Sequence, residues 1–339
     1  MRRFLRVAAL ACALGSAARA HAFVRSTSTP LQPDKGICLW WKPRRITYFV
    51  NMSGYSGPSC ATGNAASQLA QASFPAWMNA TRSGETSPCT DFTFTYGGET
   101  TGTSVGFDLA PGVANMNLVV YRTGSCADPS IAPAADACHA TPGACAAKFN
   151  CWDHSAALAA NTLALTTVTF LADTGEILDA DMEINGWNGD SGVPQDGTGG
   201  WYFTCGGPDL PICSSPPYGQ LSACNWIDVG NTVTHEAGHM IGLDHVCVSS
   251  YPPPYNACPS PAPVMAPTAV LGETRKRFLT ADDTEAICTI YPAGAATRTC
   301  VSSADGGSKG GCGSGDAGIA TLGAAILWYA LRRRPQARG

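Results

Sequence analysis

Eleven consecutive residues constrain this chain more than any other feature: His235-Glu236-Ala237-Gly238-His239-Met240-Ile241-Gly242-Leu243-Asp244-His245. On a helix, His235 and His239 stand one turn apart and project from the same face. Two imidazoles so placed can grip one Zn²⁺, and Glu236 lies beside them where it can act on a metal-polarised water. Gly242 falls where the helix has to end, because glycine accepts the positive φ that most residues resist. The chain can then swing back and bring His245 to a third ligand position. Three nitrogen ligands with an open fourth position is the catalytic form of a zinc site, not the closed structural form. A lone His-Glu-x-x-His also arises by chance on amphipathic helices; Gly242 and His245 at fixed offsets argue against chance here.

The pattern resembles the HExxHxxGxxH signature of the metzincin metalloproteases. That clan also carries a methionine-bearing turn beneath its zinc, and Pro263-Val264-Met265-Ala266-Pro267 is similar to it. Further segments resemble one metzincin family, the matrixins. Trp41-Lys42-Pro43 with Ile46 to Asn51 looks like the first strand and Ala65 to Trp77 like the first helix. Phe92 to Tyr96, Asn117 to Tyr121, Leu163 to Phe170 and Ile177 to Asn185 look like the second to fifth strands, and Phe278 to Tyr291 like the closing helix. The likeness runs in segments over residues 38–292. It implies an α+β catalytic domain: a twisted five-stranded mixed sheet, three helices and disulfide-rich insertions. It also implies a zinc endopeptidase with ligands His235, His239 and His245, general base and acid Glu236, and Met265 in the Met-turn. Substrate would add as an antiparallel strand along Leu163–Phe170.

The sequence departs from the matrixin pattern in three places. Val246 follows the third histidine where a matrixin has serine. About 15 residues separate the signal segment from the first strand, too few for a propeptide, and no PRCGxPD-like segment precedes the domain. Cys38 is the one cysteine placed to block a metal there, and a disulfide half is the alternative. No His-rich structural zinc site is recognisable; His139 and His154 lie in the right region but read as loop histidines.

Several segments speak without the family. Strand alternation puts Asp179, Asp181 and Glu183 on one face of Ile177–Asn185, with Leu178, Ala180, Met182 and Ile184 on the other, so one polar and one buried face are expected. Asp179 and Asp181, with Asp190 and Asp196 in a Gly-rich loop, either hold Ca²⁺ through oxygen ligands or form a solvated acidic surface. Asp173-Thr174-Gly175 joins two strands as a hairpin. Thr280 before Asp282 and Asp283 is an N-cap with acids in the first turn, and Asn231 or Asp228 can cap the His-bearing helix.

The termini place the protein. Arg2, Arg3 and Arg6 precede the apolar run Val7–Leu14 and small-residue sites ending at Ala20 or Ala22, a secretory signal over 1–22. Residues 23–295 form the catalytic domain and 296–316 a Gly/Ser-rich linker. In 317–339, an apolar run ends at Arg332-Arg333-Arg334. This tail, with Gly311-Cys312-Gly313 before it, resembles myxobacterial surface-sorting tails, which implies either cleavage near the cysteine or retention as a plain single-pass anchor. Sixteen cysteines fit export. Setting aside Cys12 and Cys312 leaves 14, enough for seven disulfides in an oxidising compartment. A formal charge of −4 with no basic run between the termini argues against a nucleic-acid partner. The expectation is a monomeric surface protease acting on protein or peptide, its tail engaging membrane or sorting machinery. The alternative is a catalytically silent surface binding module of the same fold.

Overall fold

The computed structural model describes residues 23–53, 65–152, 162–186, 202–204, 226–299 and 319–324, with short gaps within 30–35, 254–257 and 270–272 and at 111 and 142. They form β1 (Val24–Arg25), β2 (Arg45–Asn51), α1 (Ala65–Ser73), α2 (Pro75–Met78), β3 (Thr93–Glu99), β4 (Asn117–Arg122), α3 (Ala144–Lys148), β5 (Ala164–Leu171) and β6 (Ile177–Asn185). Then come β7 (Tyr202–Thr204), β8 (Trp226–Asp228), α4 (Val229–Met240), β9 (Leu243–Asp244), α5 (Ala281–Ile290) and β10 (Ile319–Ala324). The signal segment, Asp190, Asp196, His154, Cys205, Cys213, Cys224, the 302–315 stretch and the rest of the tail lie outside the described residues.

In β2, Ile46, Tyr48 and Val50 are buried between more exposed neighbours, the period-2 pattern of a half-buried strand. It pairs in parallel with β3 and β4, β4 pairs in parallel with β6, and the β5–β6 hairpin closes antiparallel through Asp173-Thr174-Gly175. The five expected strands thus form a mixed sheet of order β5-β6-β4-β2-β3, and the class is α+β. A strand that the sequence reading assigned to the anchor tail, β10, pairs antiparallel with the outer edge of β5. No helix among the described residues is long and apolar enough to cross a membrane.

The expected first helix is two. Pro75 has no N–H to donate and its ring clashes with the preceding turn, so α1 stops and α2 restarts with the proline in its first turn. The break turns Trp77 inward, fully buried, where Nε1 donates to the Thr234 carbonyl of α4 at 2.8 Å. All twelve residues of α4 are buried, as befits a helix between a sheet and two other helices. Val233, Ala237 and Met240 join Val168, Phe170, Ala180, Met182 and Ile184 of the sheet in one core.

The acidic face of β6 corrects the sequence expectation. Asp179, Asp181 and Glu183 are as buried as the apolar residues alternating with them. Residues on both sides of β4 supply partners on that face, and the segment after β4 carries its own small core of Cys126, Ala132, Cys138, Cys145, Ala146 and Cys151 stapled by Cys126–Cys151 and Cys138–Cys145. Burial required partners. Arg122 Nε donates to Glu183 Oε1 at 2.7 Å, and Asp181 accepts from Gly106 N at 2.5 Å and Leu118 N at 2.8 Å. Alternation correctly put the three acids on one face, but it carries no information about what covers that face.

Asp179 and Asp181 interact directly, and Asp179 Oδ2 is buried without a hydrogen-bond partner. Burial pushes the Asp179 carboxyl up to about 6, against the hydrogen bond with Asp181; Asp181 is held well above the usual range by burial and by the charge of Asp179. Both values are raised in the folded state, so the folded chain binds protons more tightly. The resulting stability is present in full below the unfolded value of about 3.9 and is lost as pH rises through about 6. Asp179→Asn, which carries a donor at every pH, should therefore melt a few degrees above wild type at pH 8 and lose that advantage at pH 4.5. Thermal melts at both pH values decide it; a variant less stable than wild type at pH 8 overturns the reading. Calcium raising the wild-type melting temperature alone would put a cation between the two acids.

Candidate metal centre

Of the two caps the sequence allowed for the His-bearing helix, Asp228 serves, accepting from Asn231 N at 2.6 Å. Arg277 holds the same carboxylate, its Nε donating to Oδ1 at 2.7 Å. Asn231, buried, instead accepts Lys276 N at 2.7 Å. One helix turn apart, His235 and His239 project together. Gly242 then takes φ +89°, and a Cβ there would lie 2.6 Å from the Leu39 carbonyl oxygen, so both conformation and space call for glycine. The turn it makes is strapped from outside. β1 pairs with β9, Ser26 N donates to Gly242 O at 2.9 Å, and Ser26 Oγ donates to Leu243 O at 2.8 Å.

This turn delivers His245. Its Nε2 lies 3.1 Å from Nε2 of His235 and 3.0 Å from Nε2 of His239. The other ring nitrogens fix the tautomers of the two helical histidines: Nδ1 of His235 faces the Val264 carbonyl at 2.6 Å, and Nδ1 of His239 faces the Leu243 carbonyl at 2.8 Å. A carbonyl accepts only, so each Nδ1 carries the proton and each Nε2 presents a lone pair. Lone pairs converging this closely repel one another unless a cation lies among them. Tetrahedral zinc with Zn–N of about 2.0–2.1 Å sets its nitrogens about 3.3 Å apart, close to the separations here. The residues therefore fit a metal ion through three imidazoles, a donor set that also suits copper, iron and nickel.

Burial, first of all, lowers the histidines, His239 to about 4 and the other two well below their ordinary value, with the Lys276 charge acting in the same direction. They are neutral at pH 7, the form that ligates. Glu236 is buried beside them, and burial pushes its carboxyl up to about 7 against the opposing pull of Thr166 and Lys276. Thr166 of β5 donates its hydroxyl to Glu236 Oε2 at 2.7 Å, so the edge of the sheet aims the carboxylate.

Met265 packs against the helix segment between His235 and His239. A Cβ on Gly238 would fall 2.2 Å from Met265 Sδ and 2.9 Å from Trp77 Cζ2, so the glycine between the two helical histidines is what admits the methionine. Val246 N donates to Met265 O at 3.1 Å and ties the turn to the third ligand. From below, Asp283 Oδ2 accepts Val264 N at 2.9 Å and Oδ1 accepts Met265 N at 3.4 Å. The same carboxylate closes a capping box with Thr280 at the start of α5.

Sequence reading missed Thr166, Gly238, Lys276 and the second duty of Asp283. Gly238 had a local signal, its place between two ligands on a helix where glycine is unfavourable. Asp283 was legible only as a first-turn acid, and Thr166 only as a strand threonine. Lys276, almost fully buried, donates Nζ to Ala266 O at 2.5 Å; nothing in its basic neighbourhood Arg275-Lys276-Arg277 marks the middle residue as the buried one.

Other sequence candidates fare differently. Cys38 is disulfide-bonded, which removes it as a metal-blocking thiol. Cys247–Cys258 brackets the loop between His245 and Met265, a pairing that the sequence left undetermined. Cys89–Cys288 ties the segment before β3 to α5. His139 is exposed and near Cys138 and Cys145, but those sulfurs are joined to each other and offer no thiolates. The three histidines are thus the metal-competent group among the described residues. No protein-family model and no curated protein matches the chain.

Proposed function

We propose that this chain is an exported zinc-dependent endopeptidase, metzincin in clan and matrixin-like in architecture, held at the cell surface by its tail. The observation that carries the proposal is the convergence of three neutral imidazole Nε2 atoms beside a buried carboxylate held by the sheet edge. Zinc bound by His235, His239 and His245 would supply Lewis acidity toward a water and a peptide carbonyl. The chain's own residues do the rest. Glu236 takes the proton of the attacking water and returns it to the leaving amine, a dual duty suited to a carboxyl that changes ionisation easily near neutral pH. Thr166 keeps Oε2 oriented through the cycle. Val264 O and Leu243 O hold the imidazoles in the ligating tautomer. The outer edge of β5, paired with β10 here, would once vacated offer backbone N–H and C=O groups on which an extended peptide can add as a strand, so recognition rests on main chain first and side-chain pockets second.

Purified mature protein should contain about one zinc per chain and cleave an unfolded protein substrate. Glu236→Ala should retain the zinc while cleavage falls by about 10²–10⁴-fold. A protein free of zinc after refolding with the metal, or a Glu236→Ala variant as active as wild type, would end the proposal.

A further inference from the structure

The outer edge of β5 is already taken. β10 runs antiparallel along it in unbroken register, with Ile319 opposite Leu171, Thr321 opposite Thr169, and Ala324 opposite Thr166. The last pair decides the meaning of the contact, because Thr166 is the residue whose hydroxyl holds Glu236. A strand that reaches Thr166 from Leu171 lies on the edge that an extended substrate would need, in the antiparallel orientation expected of that substrate.

We infer that Ile319–Ala324 is an internal competitor for the substrate edge, keeping the protease latent until the tail is drawn away. The inference rests on the endopeptidase reading above. An unpaired edge next to a catalytic carboxylate is both a receptor and a liability, and a strand from the same chain satisfies its N–H and C=O groups. Covalent attachment allows this. Arg298 is still docked on α5, its N–H donating to Ile290 O at 2.9 Å. The chain from there to Ile319 can span at most about 70 Å. A domain of this size is about 45 Å across. The competition is therefore intramolecular, and even a weak six-residue pairing holds the edge for much of the time.

The same residues belong to the apolar run that the sequence marks as a surface anchor. They cannot pair with β5 and enter a bilayer at once, so membrane insertion or cleavage of the tail frees the cleft. Latency and location become one equilibrium.

The test compares the full mature chain, in dilute buffer free of detergent and lipid, with its Thr321→Pro/Leu322→Pro variant. Neighbouring N–H groups in a strand point to opposite edges, so one of the two prolines removes a donor facing β5. Two readouts are taken: hydrogen exchange of the amides of residues 164–171, and cleavage of a long unstructured peptide. The variant should exchange faster along β5, and its KM should fall at least fivefold with kcat unchanged within twofold. A synthetic peptide of residues 317–326 added to the variant should slow the exchange again and raise KM competitively. Equal β5 exchange in the two proteins overturns the inference, as does an unchanged KM in an active pair. Slower exchange in the wild type, with neither protein cleaving, upholds the strand on the edge and overturns the endopeptidase reading instead.

Discussion

Asp283→Ala is expected to loosen the metal centre without touching a ligand. The carboxylate is almost fully buried and accepts from Val264 N, Met265 N, Thr280 N and Thr280 Oγ1. Alanine leaves those donors without their acceptor, each worth about 1–3 kcal/mol when buried. Shared relaxation makes the sum smaller, and a net loss of about 3–5 kcal/mol should appear in urea denaturation. Val264 also supplies the carbonyl that orients His235, so the cost reaches the metal. Disturbing such outer partners weakens metal binding by about 10–100-fold. Competition with a chelator should report that loss, and Asp283→Asn, which keeps one acceptor oxygen, should show roughly half of the stability effect. Wild-type metal affinity in Asp283→Ala would show that Asp283 serves α5 alone.

Arg122→Leu should cost about as much, by a different route and with the metal left in place. Arg122 and Glu183 are both buried, and besides its bond to the acid the guanidinium donates to Phe149 O at 3.4 Å. Removing one member of a buried pair leaves the other charge uncompensated, which costs about 3–5 kcal/mol. The pair itself is worth far less than its breakage suggests. Arg122→Leu/Glu183→Leu, with neither charge to desolvate, should recover to within about 1–2 kcal/mol of wild type. A double-mutant cycle in urea isolates the coupling, and metal affinity at the histidine triad should stay at the wild-type value throughout. An Arg122→Leu variant within about 1 kcal/mol of wild type would mean that water reaches Glu183 when the guanidinium is gone.

What the sequence alone determined about this protein is whatever depends on neighbours a few residues apart. The helical turn between His235 and His239, the positive φ at Gly242, the Thr280 cap, the Asp173-Thr174-Gly175 hairpin and the period-2 strands are all local, and each forms where the residues required it. The histidine constellation is local too, since the third histidine follows the second by six residues; that is why the candidate site could be read almost whole. Near the ends of that local reach the sequence left choices open, as between Asp228 and Asn231, and the fold chose by giving Asp228 a second partner in Arg277.

Tertiary structure decided everything that depends on what covers what. The acids of β6 are buried against partners from far upstream, Gly106 and Leu118 for Asp181 and Arg122 for Glu183, and strand alternation assigns faces but not their surroundings. Asp283 supports Met265 across 18 residues, and Thr166 reaches Glu236 across 70, pairings no short-range pattern encodes. Cys89 and Cys288 meet across 199 residues, and cysteine spacing leaves connectivity undetermined. The tail is the plainest case. An apolar run can enter a bilayer or complete a sheet, because both remove its surface from water and satisfy its backbone. Among the described residues it is the edge of β5, assembled from residues far upstream, that gives Ile319–Ala324 a strand to pair with.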